Sequence, residues 1–135
     1  MTRVLNAGRR EPLSGSTHSV VVFLHGYGAN GADLLGLADP LAEHLPDTLF
    51  VAPDAPEDCA GAPMGFQWFP IPWIDSSSEE EAERGMLAAA EDLNAFLDAL
   101  MVDEDVLPEQ VVLFGFSQGT MMSLHVAPQR EDAVA

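Results

Sequence analysis

Lysine is absent from this chain, and its permanent positive charge comes from five arginines, against 22 aspartates and glutamates. The formal net charge at pH 7 is −17. A surface of this sign repels phosphates, so we expect no nucleic-acid partner and no binding to anionic membrane surfaces. We interpret the acidic residues as a solvated surface that favours solubility.

Cysteine is nearly absent as well. Cys59 is the one cysteine in the sequence, which excludes an intramolecular disulfide and a cysteine-based metal cluster. A catalytic thiol would need a nearby histidine, and the Pro-rich, acidic neighbours of Cys59 supply none, so we predict a packed or lightly exposed thiol. No metal and no cofactor is predicted.

Long apolar runs are also missing. No run approaches the roughly 18 residues of a membrane span, and the N-terminus lacks the apolar stretch of a signal peptide. We therefore expect no stable membrane insertion and a soluble, cytoplasmic protein. With 135 residues, 47% of them hydrophobic, the chain reads as a single domain covering residues 1–135. A homo-oligomer stays open.

What the sequence contains is an alternation of strand and helix patterns. Continuous apolar, β-branched runs at residues 19–24 and 48–52 predict strands buried on both faces. Leucines at positions 34, 37, 41 and 45 predict a helix over residues 33–45, interrupted or bent at Pro40. Residues 3–7 are interpreted as a short edge strand.

The second half of the chain continues this alternation. Serines 76–78, followed by glutamates 79–81, predict a capping box that starts a long helix ending near Met101. Residues 103–108 are expected to link it to a strand that begins at Val111. The order predicts an α/β fold, a mostly parallel sheet with flanking helices and right-handed crossovers.

Residues 53–75 differ in composition from the rest. They hold five of the ten prolines and both tryptophans. A loop this long in a compact domain is more often functional than not. We expect Trp68 and Phe69 to form part of a substrate pocket; the alternative is a rigid flap whose aromatic residues cap the core.

The segment Gly115-Phe116-Ser117-Gln118-Gly119 follows an apolar strand pattern and precedes a helical one. This is the G-x-S-x-G pattern of a nucleophile elbow, in which a strained turn projects the serine hydroxyl from the sheet. Gly115 and Gly119 are expected because the residues on either side of the serine approach each other closely.

A second glycine-containing segment, His25-Gly26-Tyr27-Gly28, follows the strand at residues 19–24. Ligands bind at this end of the strands in open α/β sheets. Gly26 and Gly28 would let the backbone approach a bound carbonyl group. We predict that the backbone N–H groups of Tyr27 and Gln118 form an oxyanion hole.

These segments, together with Ala55-Pro56 and Gln67-Trp68-Phe69, resemble the phospholipase/carboxylesterase family of α/β-hydrolases, which includes the acyl-protein thioesterases. The resemblance covers roughly residues 17–130. It implies an α/β-hydrolase fold, Ser117 as nucleophile, Tyr27 and Gln118 as oxyanion donors, Trp68 in the acyl pocket, and cofactor-free hydrolysis of small-molecule esters or acyl thioesters. Tyr27 stands where the family commonly has leucine, and its larger side chain is expected to narrow the pocket. Thr120 stands where the family frequently has glycine.

The acid and base of a catalytic triad should follow Ser117 in the sequence. His125 lies eight residues on, about 12 Å along the same predicted helix, whereas a base must lie within ~3 Å of its proton. We interpret His125 as a helix-face residue and His25 as an anchor of its loop, with His18 and His44 at the surface. Asp132 is the one aspartate after Ser117.

The chain is therefore expected to be the N-terminal portion of a larger α/β-hydrolase domain, which usually needs roughly 200–250 residues. The strand before Ser117 would then present an open sheet edge. Our leading hypothesis is a serine ester or thioester hydrolase, inactive without its missing acid and base. The alternatives are a non-catalytic fragment or pseudoenzyme that binds acyl ligands or a partner protein, and a different hydrolytic reaction on the same fold.

Overall fold

A computed structural model of the chain describes residues 2–135 and places two helical layers around one central sheet. The strands within these residues are β1 (Ala7–Arg10), β2 (Ser19–Leu24), β3 (Thr48–Pro53), β4 (Glu57–Asp58), β5 (Phe66–Gln67) and β6 (Val111–Gly115). The helices are α1 (Gly31–Leu35), α2 (Ala38–Ala42), α3 (Pro72–Asp75), α4 (Glu79–Glu104) and α5 (Gln118–Val126).

The central sheet has the strand order β1-β3-β2-β6. Strand β2 pairs in parallel with both β3 and β6, and β1 is antiparallel to β3. The predicted mostly parallel α/β sheet is therefore confirmed. The two-stranded β4–β5 ribbon lies within the segment that the sequence predicted as a long loop.

Strands β2 and β3 supply both sides of the core. Val20, Val22 and Leu24 of β2 pack on the side of α4 and α5. Phe23 packs on the opposite side, where it stacks on Phe50 of β3 with ring centroids 5.9 Å apart, next to α2. The prediction that these strands are buried on both faces is confirmed.

Helix α4 begins where the serine and glutamate pattern predicts. Ser78 is its N-cap and accepts a hydrogen bond from the Glu81 backbone N–H, while the Glu81 carboxylate accepts one from the Ser78 N–H. The helix continues to Glu104, so the expected end near Met101 was three residues early. Residues 103 and 104 belong to its last turn rather than to a linker.

The predicted helix over residues 33–45 is two short helices, and the expected break point was wrong. The interruption lies between α1 and α2, at Gly36 and Leu37, while Pro40 sits inside α2. Pro40 is tolerated there because N–H groups of the first helical turn have no intrahelical acceptor. The break also changes which face is buried: Ala38 and Ala42 pack on the sheet.

The leucines that defined the predicted face lie mostly outside the core. Leu37, Leu41 and Leu45 are 42%, 39% and 40% exposed. A single leucine stripe assumes one continuous helix, and two helices with separate axes do not preserve it.

The predicted edge strand at residues 3–7 was also misplaced, because β1 begins at Ala7. The preceding residues run past α4, where the Arg3 backbone N–H and guanidinium both bind the carboxylate of Asp92. Leu5 is buried beside them. This contact spans 89 residues of sequence, which no local pattern can reveal.

Removal of the Ser78 hydroxyl should destabilise the fold, since the Glu81 N–H loses its acceptor at a helix end. We expect Ser78→Ala to lower the free energy of unfolding by about 1 kcal/mol, measured by urea denaturation monitored by circular dichroism. Ser16→Ala is the matched control, because the Ser16 hydroxyl makes no hydrogen bond in the described chain. Equal losses in the two variants would contradict a specific cap.

Candidate active site

Ser117 occupies a sharp turn between β6 and α5. Its backbone angles are φ 53° and ψ −115°, a conformation that L-residues rarely adopt. Such a residue costs of order 1–3 kcal/mol and persists only when its surroundings enforce it. The predicted strained elbow is therefore present, and its serine is exposed to solvent.

The two elbow glycines are required by the close approach of α5. A Cβ atom on Gly115 would lie 2.6 Å from the Gly119 carbonyl oxygen. A Cβ atom on Gly119 would overlap the Leu24 carbonyl group at the end of β2 and lie 2.8 Å from the His25 carbonyl oxygen. The absence of side chains thus lets the first turn of α5 rest directly on the end of β2.

The same contact brings the segment of residues 25–28, which we call the predicted oxyanion loop, to the serine. A Cβ atom on Gly26 would lie 3.2 Å from the Cβ of Ser117. Gly28 has a φ of +83°, and its N–H donates to the Phe66 carbonyl at 2.9 Å, which fixes the far end of the loop. The structure therefore places the two glycine segments side by side.

Several backbone N–H groups at this junction are left without an internal acceptor in the described chain, those of Gly26 and Ser117 included. Among the residues that the structure describes, the N–H groups of Tyr27 and Gln118 donate no hydrogen bond. Gln118 is the first residue of α5, where unsatisfied N–H groups and the helix dipole favour negative charge. Their role as oxyanion donors stays a prediction.

His25 holds the loop from beneath. It is fully buried, and its Nε2 accepts a hydrogen bond from the Ala55 N–H at 2.9 Å. Nε2 therefore carries no proton, and Nδ1 donates to the Gly26 carbonyl at 2.7 Å. Burial lowers the pKa of His25 below its ordinary value, which favours this neutral tautomer.

The Gln118 side chain connects the elbow to the aromatic segment, a role that the sequence did not reveal. Its Oε1 accepts from the Trp68 N–H at 2.8 Å, and its Nε2 donates to the Phe69 carbonyl at 2.8 Å. Trp68 is fully buried, and its indole N–H donates to the His25 carbonyl at 2.9 Å. The sequence shows a glutamine inside the elbow, between Ser117 and Gly119. It does not show that this glutamine binds Trp68, which lies 50 residues away.

Trp68 and Phe69, the residues of the predicted substrate pocket, lie in different surroundings. With no exposed surface, Trp68 supports the oxyanion loop from the core in this structure, whereas Phe69 lines a groove between α3 and α4. At Trp68, the aromatic segment therefore agrees with the alternative interpretation, in which its aromatic residues cap the core. The pocket roles of Trp68 and Phe69 stay predictions.

Tyr27 extends from the loop to α3. Its hydroxyl donates to Asp75 Oδ2 at 3.4 Å. Burial, together with the neighbouring Cys59 and Asp75, raises the pKa of Tyr27 to about 12, so the phenol is neutral. Asp75 also accepts from the Ser77 hydroxyl and backbone N–H and from the Ile71 N–H, contacts that lower its pKa.

No described residue is placed to take the proton of Ser117. Within residues 2–135, the Ser117 side chain makes no hydrogen bond to a histidine or carboxylate. His125 lies 3.5 Å from the Gln129 amide, and both His25 ring nitrogens are occupied. Within the same residues, no group of three or more His, Cys, Asp or Glu side chains is arranged to hold a metal ion.

Cys59 is buried, as predicted, near Gly28 of the oxyanion loop. In the described part of the chain, no helix combines the length and apolar character needed to cross a membrane.

The sheet, its helices and the strained serine elbow together define an α/β-hydrolase. Residues 11–133 match the sequence profile described as phospholipase/carboxylesterase, and the chain therefore belongs to this family. The resemblance drawn from the sequence motifs is confirmed.

Individual relatives agree with this assignment. Acyl-protein thioesterase 1 of Cryptococcus neoformans is 32% identical over 111 residues, which cover 78% of this chain and 46% of the relative. The crystal structure of esterase PE8 is 36% identical, with a TM-score of 0.90 over 98% of this chain and 61% of its own. The crystal structure of acyl-protein thioesterase 2 from Zea mays is 27% identical and has a TM-score of 0.62. The match covers 90% of this chain and 50% of the Zea mays chain.

The chain spans about half the length of the curated relatives that it matches. The residues that match the family profile, 11–133, include the elbow and the predicted oxyanion loop.

A methyl group at Gly119 should disrupt the junction, because it has no space beside the β2 carbonyl groups. We expect Gly119→Ala to lower the free energy of unfolding by about 2–3 kcal/mol, measured by urea denaturation. Gly36→Ala is the matched control, because Gly36 has helical backbone angles and open space around it. This variant should raise the free energy of unfolding by about 0.4–1 kcal/mol. A tolerated alanine at position 119 would show that the elbow does not rest on β2.

Proposed function

We propose that this chain carries the nucleophile half of a serine carboxylic ester or thioester hydrolase. The observation that supports this most strongly is the geometry of Ser117: an exposed hydroxyl on a strained turn, beside two backbone N–H groups without internal acceptors. A structural Ser/Gly turn requires neither the positive φ nor the adjacent donors.

The proposed reaction proceeds through an acyl-enzyme. Ser117 Oγ attacks the carbonyl carbon of the substrate and loses its proton to a base, while the carbonyl oxygen becomes an oxyanion. The N–H groups of Tyr27 and Gln118 stabilise this oxyanion, and the tetrahedral intermediate collapses with release of the alcohol or thiol, which takes up the proton that the base removed from Ser117. Water then hydrolyses the acyl-enzyme to the carboxylic acid and free Ser117.

The base and its acid partner are not among the groups that contact Ser117 in residues 2–135. We therefore propose that the 135-residue chain alone does not turn over, and that an aspartate and a histidine from outside these residues complete the triad. Loss of triad members in a folded enzyme still leaves about 10³–10⁴-fold acceleration over water from the oxyanion hole and binding.

The remaining attributes of the proposal follow the family. The substrate is a small-molecule ester or an acyl thioester, as the names of the thioesterase relatives indicate for those proteins. We propose that the reaction uses no cofactor and that the protein has no nucleic-acid partner. We also propose that residues 1–135 lie within a single α/β-hydrolase domain and that the protein is cytoplasmic. A homo-oligomer stays open.

A second candidate is a non-catalytic chain that binds an acyl ligand or a partner protein. The observation that favours it is the position of β6 at the edge of the sheet, with Phe114 and Phe116 43% and 61% exposed. One backbone bond, from the Ala135 N–H to the Val111 carbonyl, covers part of this edge.

An active-site-directed fluorophosphonate separates the two candidates at alkaline pH, where solvent hydroxide takes the serine proton in place of the missing base; the reaction then needs an oriented serine and oxyanion donors but no leaving-group acid. We expect slow, stoichiometric labelling of the 135-residue chain at Ser117, identified by peptide mass spectrometry and absent in Ser117→Ala. Ser16→Ala, an exposed serine variant, should label like the unmodified chain.

A turnover assay with p-nitrophenyl butyrate completes this test. We expect no hydrolysis by the 135-residue chain above that of Ser117→Ala. Absence of labelling at Ser117 would sink the nucleophile assignment, and Ser117-dependent turnover would refute both the need for an external base and the non-catalytic alternative.

A further inference from the structure

A groove between α3 and the start of α4 is not used by the proposed reaction. Its volume is about 450 Å³, and it is walled by apolar side chains with two carboxylates at one side. The residues that characterise it are Phe69, Pro72, Trp73, Glu79, Glu83 and Met86. We call it the α3–α4 groove.

Trp73 is the first unusual feature of this groove. Its side chain is 85% exposed, whereas the second tryptophan of the chain, Trp68, is fully buried. In the described chain, the Trp73 indole N–H makes no hydrogen bond. An aromatic side chain of this size, exposed beside an apolar groove, is typical of binding surfaces.

Glu79 and Glu83 are the second feature. They lie four residues apart on α4, so their like charges face each other across one helical turn and repel. Neither carboxylate forms an ion pair or hydrogen bond within residues 2–135. The capping box uses Glu81 instead, and Glu83 lies beyond the first turn, where the helix dipole no longer favours an acidic residue.

An exposed indole, two unneutralised carboxylates and an apolar floor match one kind of ligand: a cation on an apolar stem. Guanidinium and ammonium groups bind the faces of tryptophan rings and pair with carboxylates. The net charge of −17 attracts basic partners and raises their rate of encounter. A phosphocholine group fits less well, because its phosphate would lie close to the same carboxylates.

We propose that the α3–α4 groove binds an arginine or lysine side chain of a basic peptide segment, with an apolar neighbour of that residue on Phe69 and Met86. The carboxylates of Glu79 and Glu83 neutralise the cation, and Trp73 covers it. The ligand is thus a polypeptide of sign opposite to this chain.

The groove adjoins the candidate active site. Phe69 lines the groove and accepts a hydrogen bond from Gln118 of the elbow. Trp73 lies two residues before Asp75, which accepts from the Tyr27 hydroxyl. A peptide in the groove would therefore contact a segment that is hydrogen-bonded to the elbow; its role as the protein part of an acylated substrate rests on the proposed function, but its binding does not.

The binding test uses the fluorescence of Trp73, since buried Trp68 contributes a constant background. The probe is the acetylated and amidated peptide Leu-Arg-Leu-Arg-Leu, titrated into the 135-residue chain. We expect saturable binding, no binding of the Leu-Glu-Leu-Glu-Leu peptide, and weaker binding of dodecylphosphocholine. The Ser117→Ala variant should bind equally, so a failed hydrolase hypothesis and a failed groove hypothesis give different results.

Charge variants decide whether the groove itself is the site. The double variant Glu79→Gln/Glu83→Gln should weaken peptide binding about fivefold or more. Glu80→Gln/Glu91→Gln changes the net charge equally on the same helix outside the groove, and should alter binding less than about twofold. Trp73→Leu, followed by calorimetry, should weaken it about threefold or more.

Equal weakening by the two double variants would overturn the proposal in favour of general charge attraction. Absence of saturable binding by the arginine peptide would overturn it as well. Binding of dodecylphosphocholine that is tighter than that of the peptide and is lost in Glu79→Gln/Glu83→Gln would assign the groove to a lipid headgroup instead.

Discussion

The close approach of α5 to the end of β2 is the constraint on which the candidate site depends. Gly119 allows this approach, because any side chain there would meet the carbonyl groups of Leu24 and His25. The turn at Ser117 must then be sharp enough to connect β6 to a helix that starts directly over the sheet, and its positive φ is the result. The oxyanion loop follows from the same geometry, since it continues from Leu24.

A buried hydrogen-bond network fixes three segments around this junction. His25 joins the oxyanion loop to Ala55, the Trp68 indole joins the aromatic segment to His25, and Gln118 joins that segment to the elbow. All of these groups are satisfied and neutral, which is how polar groups are stabilised in a low-dielectric core. The N–H groups of Tyr27 and Gln118 are therefore positioned by core packing, a rigidity that an oxyanion site requires.

Features carried by local sequence were predictable, and features carried by distant contacts were not. The β-branched runs, the Ser78 capping box and the glycine spacing around Ser117 each encode local geometry, and the structure has all three. The leucine spacing at residues 34–45 failed because the break at Gly36 ends the shared helical axis. The partners of Gln118 and Asp92 lie on other elements, as does Tyr27, one of the partners of Asp75, so no local pattern distinguishes these contacts.

We propose that these residues form a prearranged oxyanion site beside a strained serine, independent of the groups that would complete the reaction. A crystal structure of the 135-residue chain after fluorophosphonate treatment tests it most directly. We expect a phosphoryl oxygen within about 3 Å of the backbone nitrogens of both Tyr27 and Gln118. A phosphoryl oxygen directed to solvent, or a Ser117 backbone relaxed to negative φ, would contradict it.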